Sequence, residues 1–236
     1  MEPLAFACET LEGGQSRLAE IRSFSPSALV IAGWTGRDAA AISHHIEELA
    51  ALGVPRPSRV PLYYRVAAQL LTQSPTIEVL GEDSSGEVEP VLFVCDGQCW
   101  LTVGSDHTDR KVEAYSVAVS KQLCAKPLAA AAWRWDDVAG HQDAIELRSR
   151  IYERGRWVDY QRGTLAEIRP LAELRDGFET DSVEGLVMTC GTLPAVPDES
   201  GSGVRPATQM ELELRDPVLG RRIVQRYSVR TLPMVA

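Results

Sequence analysis

A strand-dominated α+β fold with a few short helices is what this sequence predicts, on three observations. Apolar and polar residues alternate over short stretches, as at Ile145, Leu147, Ser149 and Ile151. Asp96-Gly97 joins one pair of such stretches and Arg154-Gly155 another, each in the manner of a tight hairpin turn. One long stretch only, residues 37–52, sets its apolar side chains (Ile42, Ile46 and Leu49) at helical spacing.

Taken in order, Leu4 to Cys8 reads as a short strand closed by the turn Glu12-Gly13-Gly14. A strand from Ala28 to Trp34 runs into the helix from Arg37 to Leu52, with Gly53 as its stop. Prolines from Pro55 to Pro61 keep the next stretch extended. Thr76 to Leu80, Val88 to Cys95 and Cys99 to Val103 follow as strands. Glu113 to Cys124 can be helical, and Asp136 reads as the N-cap of a short helix ending near Gly140. The hairpin through Arg154-Gly155 comes next, then a strand from Gly185 to Cys190 and a loop rich in Pro, Gly and Ser from Pro194 to Pro206. Met210, Leu212 and Leu214 alternate with charged residues, and Ile223 to Val229 pairs back through the turn at 217–220. Residues 1–60 are expected to form a small N-terminal lobe beside a main domain of residues 61–236.

Composition narrows the function. With 44% hydrophobic and 24% charged residues, the 236-residue chain is globular rather than disordered. A formal charge of −9 without a basic stretch argues against duplex nucleic acid as a partner. No apolar run approaches the roughly 20 residues that cross a bilayer. The opening Met1-Glu2-Pro3-Leu4-Ala5 lacks the positive n-region of a secretory signal. A cytoplasmic protein with no membrane contact is expected. Of five scattered cysteines only Cys95 and Cys99 lie close, a poor zinc signature without a second pair.

Chemistry concentrates between residues 87 and 121. In Glu87-Val88-Glu89, period-two geometry puts two carboxylates on one strand face, where they repel unless a cation sits between them. By itself Glu-x-Glu reads first as the wet face of an amphipathic strand. Gly104-Ser105-Asp106-His107-Thr108-Asp109-Arg110 then places polar residues at a strand end, with Asp109 read as a helix cap. Lys121 follows in Val119-Ser120-Lys121-Gln122.

This order resembles the fumarylacetoacetate hydrolase superfamily, in which a Glu-x-Glu strand and an Asp before Thr-x-Arg ligate one divalent metal. The resemblance implies a mixed β-roll, with Glu87, Glu89 and Asp106 as ligands and Lys121 as the lysine beside the metal. Leu186 to Pro194 looks like the family's strand ending in a Thr-Gly-Thr-Pro turn, which makes Thr192 a substrate-side hydroxyl. The match runs patchily from about Thr76 to Val229. It is nearest to a bacterial branch that carries the same Gly-Trp-Thr-Gly-Arg-Asp and Gly-Ser-Asp-His-Thr-Asp-Arg strings.

One departure matters. The hydrolases place a histidine after Gly-x-Asn-Tyr-x-Asp, with a glutamate three residues later, to activate water. Here Gly33-Trp34-Thr35-Gly36-Arg37-Asp38 is followed by Ala39. His45 and Glu48 share the required spacing on one helix face but lie six residues late, with His44 the weaker candidate. The interval from Glu89 to Asp106 is also shorter than is usual in the family.

The resemblance implies a metal-dependent C–C bond hydrolase or lyase acting on a 2-oxo acid or β-dicarbonyl compound. Mg²⁺ is the expected cofactor, with Mn²⁺ or Ca²⁺ as alternatives. The metal, Lys121 and Arg110 would stabilise charge on an enolate, and a cationic neighbour would depress the Lys121 pKa. His45 and Glu48 acting on water give hydrolysis; without water the outcome is decarboxylation, hydration or isomerisation. A non-catalytic small-acid-binding protein is the alternative from another class. A homodimer is expected from the resemblance alone.

Overall fold

A computed structural model of the chain describes residues 3–13, 15–51 and 56–235. β1 (Leu4–Glu12) and β2 (Gln15–Phe24) form a hairpin, and β3 (Ala28–Gly33) leads into α1 (Ala39–Ala51). β4 (Leu62–Val66), β5 (Leu71–Thr72), β6 (Thr76–Leu80) and β7 (Ser84–Ser85) precede the long hairpin of β8 (Val88–Cys95) and β9 (Gln98–Ser105). β10 (Thr108–Asp109), α2 (Arg110–Glu113), α3 (Val117–Gln122), β11 (Lys126–Pro127) and β12 (Ala131–Arg134) follow. The rest is β13 (Glu146–Glu153), β14 (Arg156–Thr164), α4 (Leu171–Asp176), β15 (Leu186–Thr189), β16 (Gln209–Asp216) and β17 (Arg221–Leu232).

Two sheets carry the fold. The larger is mixed, in the order β2-β1-β12-β9-β8-β15-β3-β4; the smaller runs β14-β13-β16-β17-β6. β8 is buried along its whole length, which explains its continuous apolar run. Leu92 on one face joins a core shared with Leu147, Leu212 and Leu214 of the smaller sheet. Val91 and Phe93 on the other face join Phe6, Leu29 and Trp100, with the Phe6 and Phe93 rings 4.3 Å apart. β1 pairs with β12 and β3 with β15, so the strands from residues 1–60 lie within the main sheet.

Local signals read well. Asp96 and Gly97 hold φ of 53° and 69°, and Arg154 and Gly155 hold 49° and 79°, the paired left-handed residues of two-residue hairpin turns. Three expectations need correction. β2 was not foreseen: its Leu18, Ile21 and Phe24 recur every third residue, and at the sheet edge Ile21 stays 65% exposed. The helix expected over 113–124 is two helices, because the Ser116 hydroxyl accepts from the Val119 N–H and starts α3 afresh. Asp136 is no N-cap but lies inside a 3₁₀ turn, Trp135–Asp137, ahead of a second one, Ala139–Ala144. The helix stop expected at Gly53 lies outside the described residues.

Gly104 sits in β9 where a Cβ would fall 2.6 Å from Leu128 Cδ2 and 2.9 Å from the Pro127 carbonyl oxygen. Gly104→Ala should therefore destabilise the fold by about 1–3 kcal/mol through overpacking. A lowered urea midpoint at unchanged slope is the expected result; a wild-type midpoint would refute this account of the β9–β11 contact.

Candidate metal centre

The β8–β9 hairpin assembles the site at its open end. Its register opposes Val88 to Ser105 and Glu89 to Gly104, and the Asp106 N–H donates to the Glu87 carbonyl at 3.0 Å. One carboxylate oxygen each of Glu87, Glu89 and Asp106 consequently lies within 4.8 Å of the others. Glu89 is 3% exposed and Asp106 0%, with Glu87 half-buried. The strand that carries Glu89 therefore has no wet face.

Burial pushes the Glu89 carboxyl up to about 8, with Asp106 adding to the push and Lys121 opposing it. The Gly191 N–H donates to Glu89 Oε2 at 2.9 Å and holds the side chain in place. At Asp106 burial again disfavours charge, but Lys121 and Lys126 overcome it and hold the carboxyl well below the usual range. Lys121 Nζ donates to Asp106 Oδ2, and Lys126 Nζ lies 2.9 Å from Oδ1 while donating to the His107 carbonyl. For Lys121 itself burial favours the neutral amine, yet Asp106, Glu87 and Glu89 win and raise its pKa.

The donor set suits a hard divalent cation. Three carboxylates supply only oxygen, and Asp106 Oδ1 is buried without a hydrogen-bond partner of good geometry although Lys126 is close. Arg110 closes one side: its Nη2 lies 3.3 Å from Glu87 Oε2, its Nε donates to Ser85 Oγ at 2.7 Å and its Nη1 to Glu113 at 2.9 Å. The Thr192 hydroxyl donates to the Val88 carbonyl at 2.8 Å and accepts from Gln161 Nε2 at 2.7 Å, so much of its capacity serves the framework. Asp109 does cap a helix, accepting from the Val112 N–H at 2.9 Å.

The other motif packs against neighbouring elements. Arg37 grips Asp143 with two bonds of 2.7 Å, and Thr35 is buried where a Cβ on Gly191 would fall 1.6 Å from its hydroxyl. Ala39 opens α1, and His44 on that helix is exposed. The side chains of His45 and Glu48 lie outside the described residues.

Sequence reasoning missed Lys126, which is 0% exposed. Its signal was available: a charge inside the apolar run Leu123-Cys124-Ala125 to Pro127-Leu128-Ala129 stays buried only with a partner. It also missed the layer behind the site. His107 Nδ1 lies 3.1 Å from the Tyr227 hydroxyl and Nε2 3.0 Å from Ser84 Oγ. Burial, then Lys126 and Arg110, lowers the His107 pKa to about 3, so the ring is neutral. Tyr64, 6.0 Å from Lys121 Nζ at its ring centroid, is a further neighbour. A cavity of about 600 Å³ lined by Leu71, Ile77, Glu78 and Arg230 includes none of the three carboxylates.

A family model described as "Protein of unknown function (DUF2848)" matches residues 32–227. The chain belongs to that family. No curated protein matches its sequence. Among solved structures it is similar to 2-keto-3-deoxy-D-arabinonate dehydratase complexed with magnesium and 2,5-dioxopentanoate. That match has a TM-score of 0.63 at 14% identity, over 92% of this chain and 79% of that one. It is also similar to fumarylacetoacetate hydrolase from psychrophilic Exiguobacterium antarcticum (TM-score 0.58, 14% identity, 92% and 81% covered). A probable 2-hydroxyhepta-2,4-diene-1,7-dioate isomerase from Mycobacterium abscessus matches at a TM-score of 0.55, with 12% identity over 88% and 77%. The fold is the mixed β-roll of the fumarylacetoacetate hydrolase superfamily, as the motif order implied.

Two outcomes follow from this geometry. Replacing both Glu87 and Glu89 with Gln should abolish divalent-cation binding, read by calorimetry, while circular dichroism stays native; full stoichiometry in the double variant would refute the donor set. The second concerns pH without added divalent cation. Glu89 has its pKa raised on folding, so its contribution is fully present below the unfolded value of 4.5 and is lost as pH rises to about 8. Glu89→Gln should flatten that fall in stability, and an unchanged pH profile would contradict it.

Proposed function

We propose that the chain is a divalent-cation-dependent enzyme acting on a 2-oxo acid or β-dicarbonyl compound through an enolate. The observation that carries the proposal is the convergence of Glu87, Glu89 and Asp106 beside the buried ammonium of Lys121. Mg²⁺ is the proposed cation, because the donors are all hard oxygens and a similar fold is complexed with magnesium. When bound, the cation supplies Lewis-acid polarisation of the substrate oxygens.

The chain's own residues supply the rest. Glu87, Glu89 and Asp106 would hold the cation. Lys121, kept protonated by the carboxylates, presents Nζ as a fixed positive charge and proton donor for negative charge on the substrate. Arg110 carries a second fixed charge against Glu87. Buried β8 and β9 keep these groups from reorganising as charge develops. His45 and Glu48 are proposed to activate water, which gives C–C bond hydrolysis. Ala39, at the position of the family's histidine, favours a second reading: decarboxylation, hydration or isomerisation of the same enolate. A homodimer that takes a small oxo acid is part of the proposal.

Incubation with oxaloacetate and with an acylpyruvate, with and without Mg²⁺, tests it. Cation-dependent cleavage of the acylpyruvate supports hydrolysis, and CO₂ release from oxaloacetate supports the second reading. Saturable binding of both without turnover would overturn catalysis in favour of a small-acid-binding protein. Lys121→Met should lower kcat by roughly 10²-fold or more, the scale of losing one electrostatic stabiliser, with little change in cation affinity.

A further inference from the structure

A second polar pocket lies on the other side of β4. Tyr63 and Tyr64 are consecutive strand residues, so their rings leave opposite faces. Tyr64 faces Lys121, whereas Tyr63 packs against Phe178 with ring centroids 5.6 Å apart and donates its hydroxyl proton to the Leu174 carbonyl at 2.9 Å. Above Tyr63 is a cavity of about 210 Å³ bounded by Arg59, Pro61, Arg169, Glu173 and Gly177. It is smaller than the roughly 300 Å³ lower limit of pockets for drug-sized ligands and suits a small group.

Both arginines line this space, and neither is engaged in an ion pair among the described residues. The Arg59 guanidinium lies 5.3 Å from the Tyr63 ring centroid. Arg169 Nε is buried and has no hydrogen-bond partner. Among the described residues neither forms an ion pair, although many other arginines of this chain do, including Arg37, Arg110, Arg148, Arg150 and Arg205. Both guanidiniums act on the Tyr63 hydroxyl: burial raises its pKa, and Arg59 and Arg169 each oppose the rise. Glu173 also lines the cavity, so two positive charges face one negative and the pocket is net positive within a chain of −9. A buried, unpaired guanidinium edge is costly to leave unsatisfied, and its planar donors match oxyanions.

We propose that this groove is a binding site for a small oxyanion, separate from the carboxylate centre and held by Arg59 and Arg169. The ligand is a carboxylate or a phosphoryl group, recognised by the donor fork of Arg169 with Arg59 closing over it from the Tyr63 ring. A relay of contacts runs from the groove toward the carboxylate centre. The Arg169 N–H donates to the Thr35 carbonyl at 2.8 Å, Thr35 packs on Gly191, and Gly191 holds Glu89.

Calorimetric titration of the full chain with inorganic phosphate and, separately, with malonate tests the site. Saturable binding of one anion per chain is expected for at least one probe; phosphate alone marks a phosphoryl site, malonate alone a carboxylate site. Arg59→Met and Arg169→Met should each weaken it by about tenfold or more, and Glu87→Gln with Glu89→Gln should leave it unchanged. Arg59 is exposed, so its variant keeps the test clear of folding effects. Absence of saturable binding by both anions, or binding that survives Arg59→Met and Arg169→Met but is lost with the carboxylates, would overturn the proposal.

Discussion

Asp106 is a carboxylate with no solvent exposure, flanked on both oxygens by ammonium groups that are themselves buried. A lone charge in that position would cost several kcal/mol in lost hydration and would neutralise instead. Three separate pieces of chain prevent this. β9 delivers Asp106, α3 delivers Lys121, and β11 delivers Lys126 through its parallel pairing with β5. The Ser116 cap that starts α3 and the packing of Leu128 on Gly104 are thus both conditions for the charge at Asp106.

The same burial disfavours charge on two acids that face one another, and their partners give it opposite outcomes. Asp106 has two lysines at contact distance and stays ionised far below the ordinary range. Glu89 has one opposing lysine, two neighbouring carboxylates in Asp106 and Glu87, and a backbone N–H from Gly191, so burial prevails and its pKa rises to about 8. One acid kept charged and one kept neutral within 4.8 Å is an arrangement a divalent cation would complete. Behind it, neutral His107 with Ser84 and Tyr227 fills the space without adding charge.

The Gly-Trp-Thr-Gly-Arg-Asp string links the centre to the arginine groove. It contributes Thr35 against Gly191, and the backbone of Thr35 receives Arg169. Trp34 holds φ 59°, a left-handed conformation that costs a non-glycine residue about 1–2 kcal/mol and is retained where the surroundings fix it. Through Thr35 the string packs on the turn whose Gly191 N–H donates to Glu89.

Much was legible because it is local. The Asp96-Gly97 and Arg154-Gly155 turns, the alternation in β13 and β16, and the order Glu87, Glu89, Asp106, Lys121 all depend on neighbours within a few tens of residues. β2 escaped because an edge strand leaves Ile21 in water and loses its period-two signature. Lys126 was visible as a charge in an apolar run, but its partner was not. Which carboxylate is charged, which hydroxyl is spent on the framework, and which arginines remain unpaired depend on Gly191, Tyr227 and Arg169, brought in from far along the chain, across 122 residues in the case of Ser105 and Tyr227. By itself the sequence determined many of the strands, two of their turns and the identity of the converging acids, since backbone preference and side-chain period are written locally; β2, β4 and β12 were not among them. Only the tertiary structure decided their electrostatics, because desolvation and Coulomb energies depend on distances between segments that the chain order does not contain.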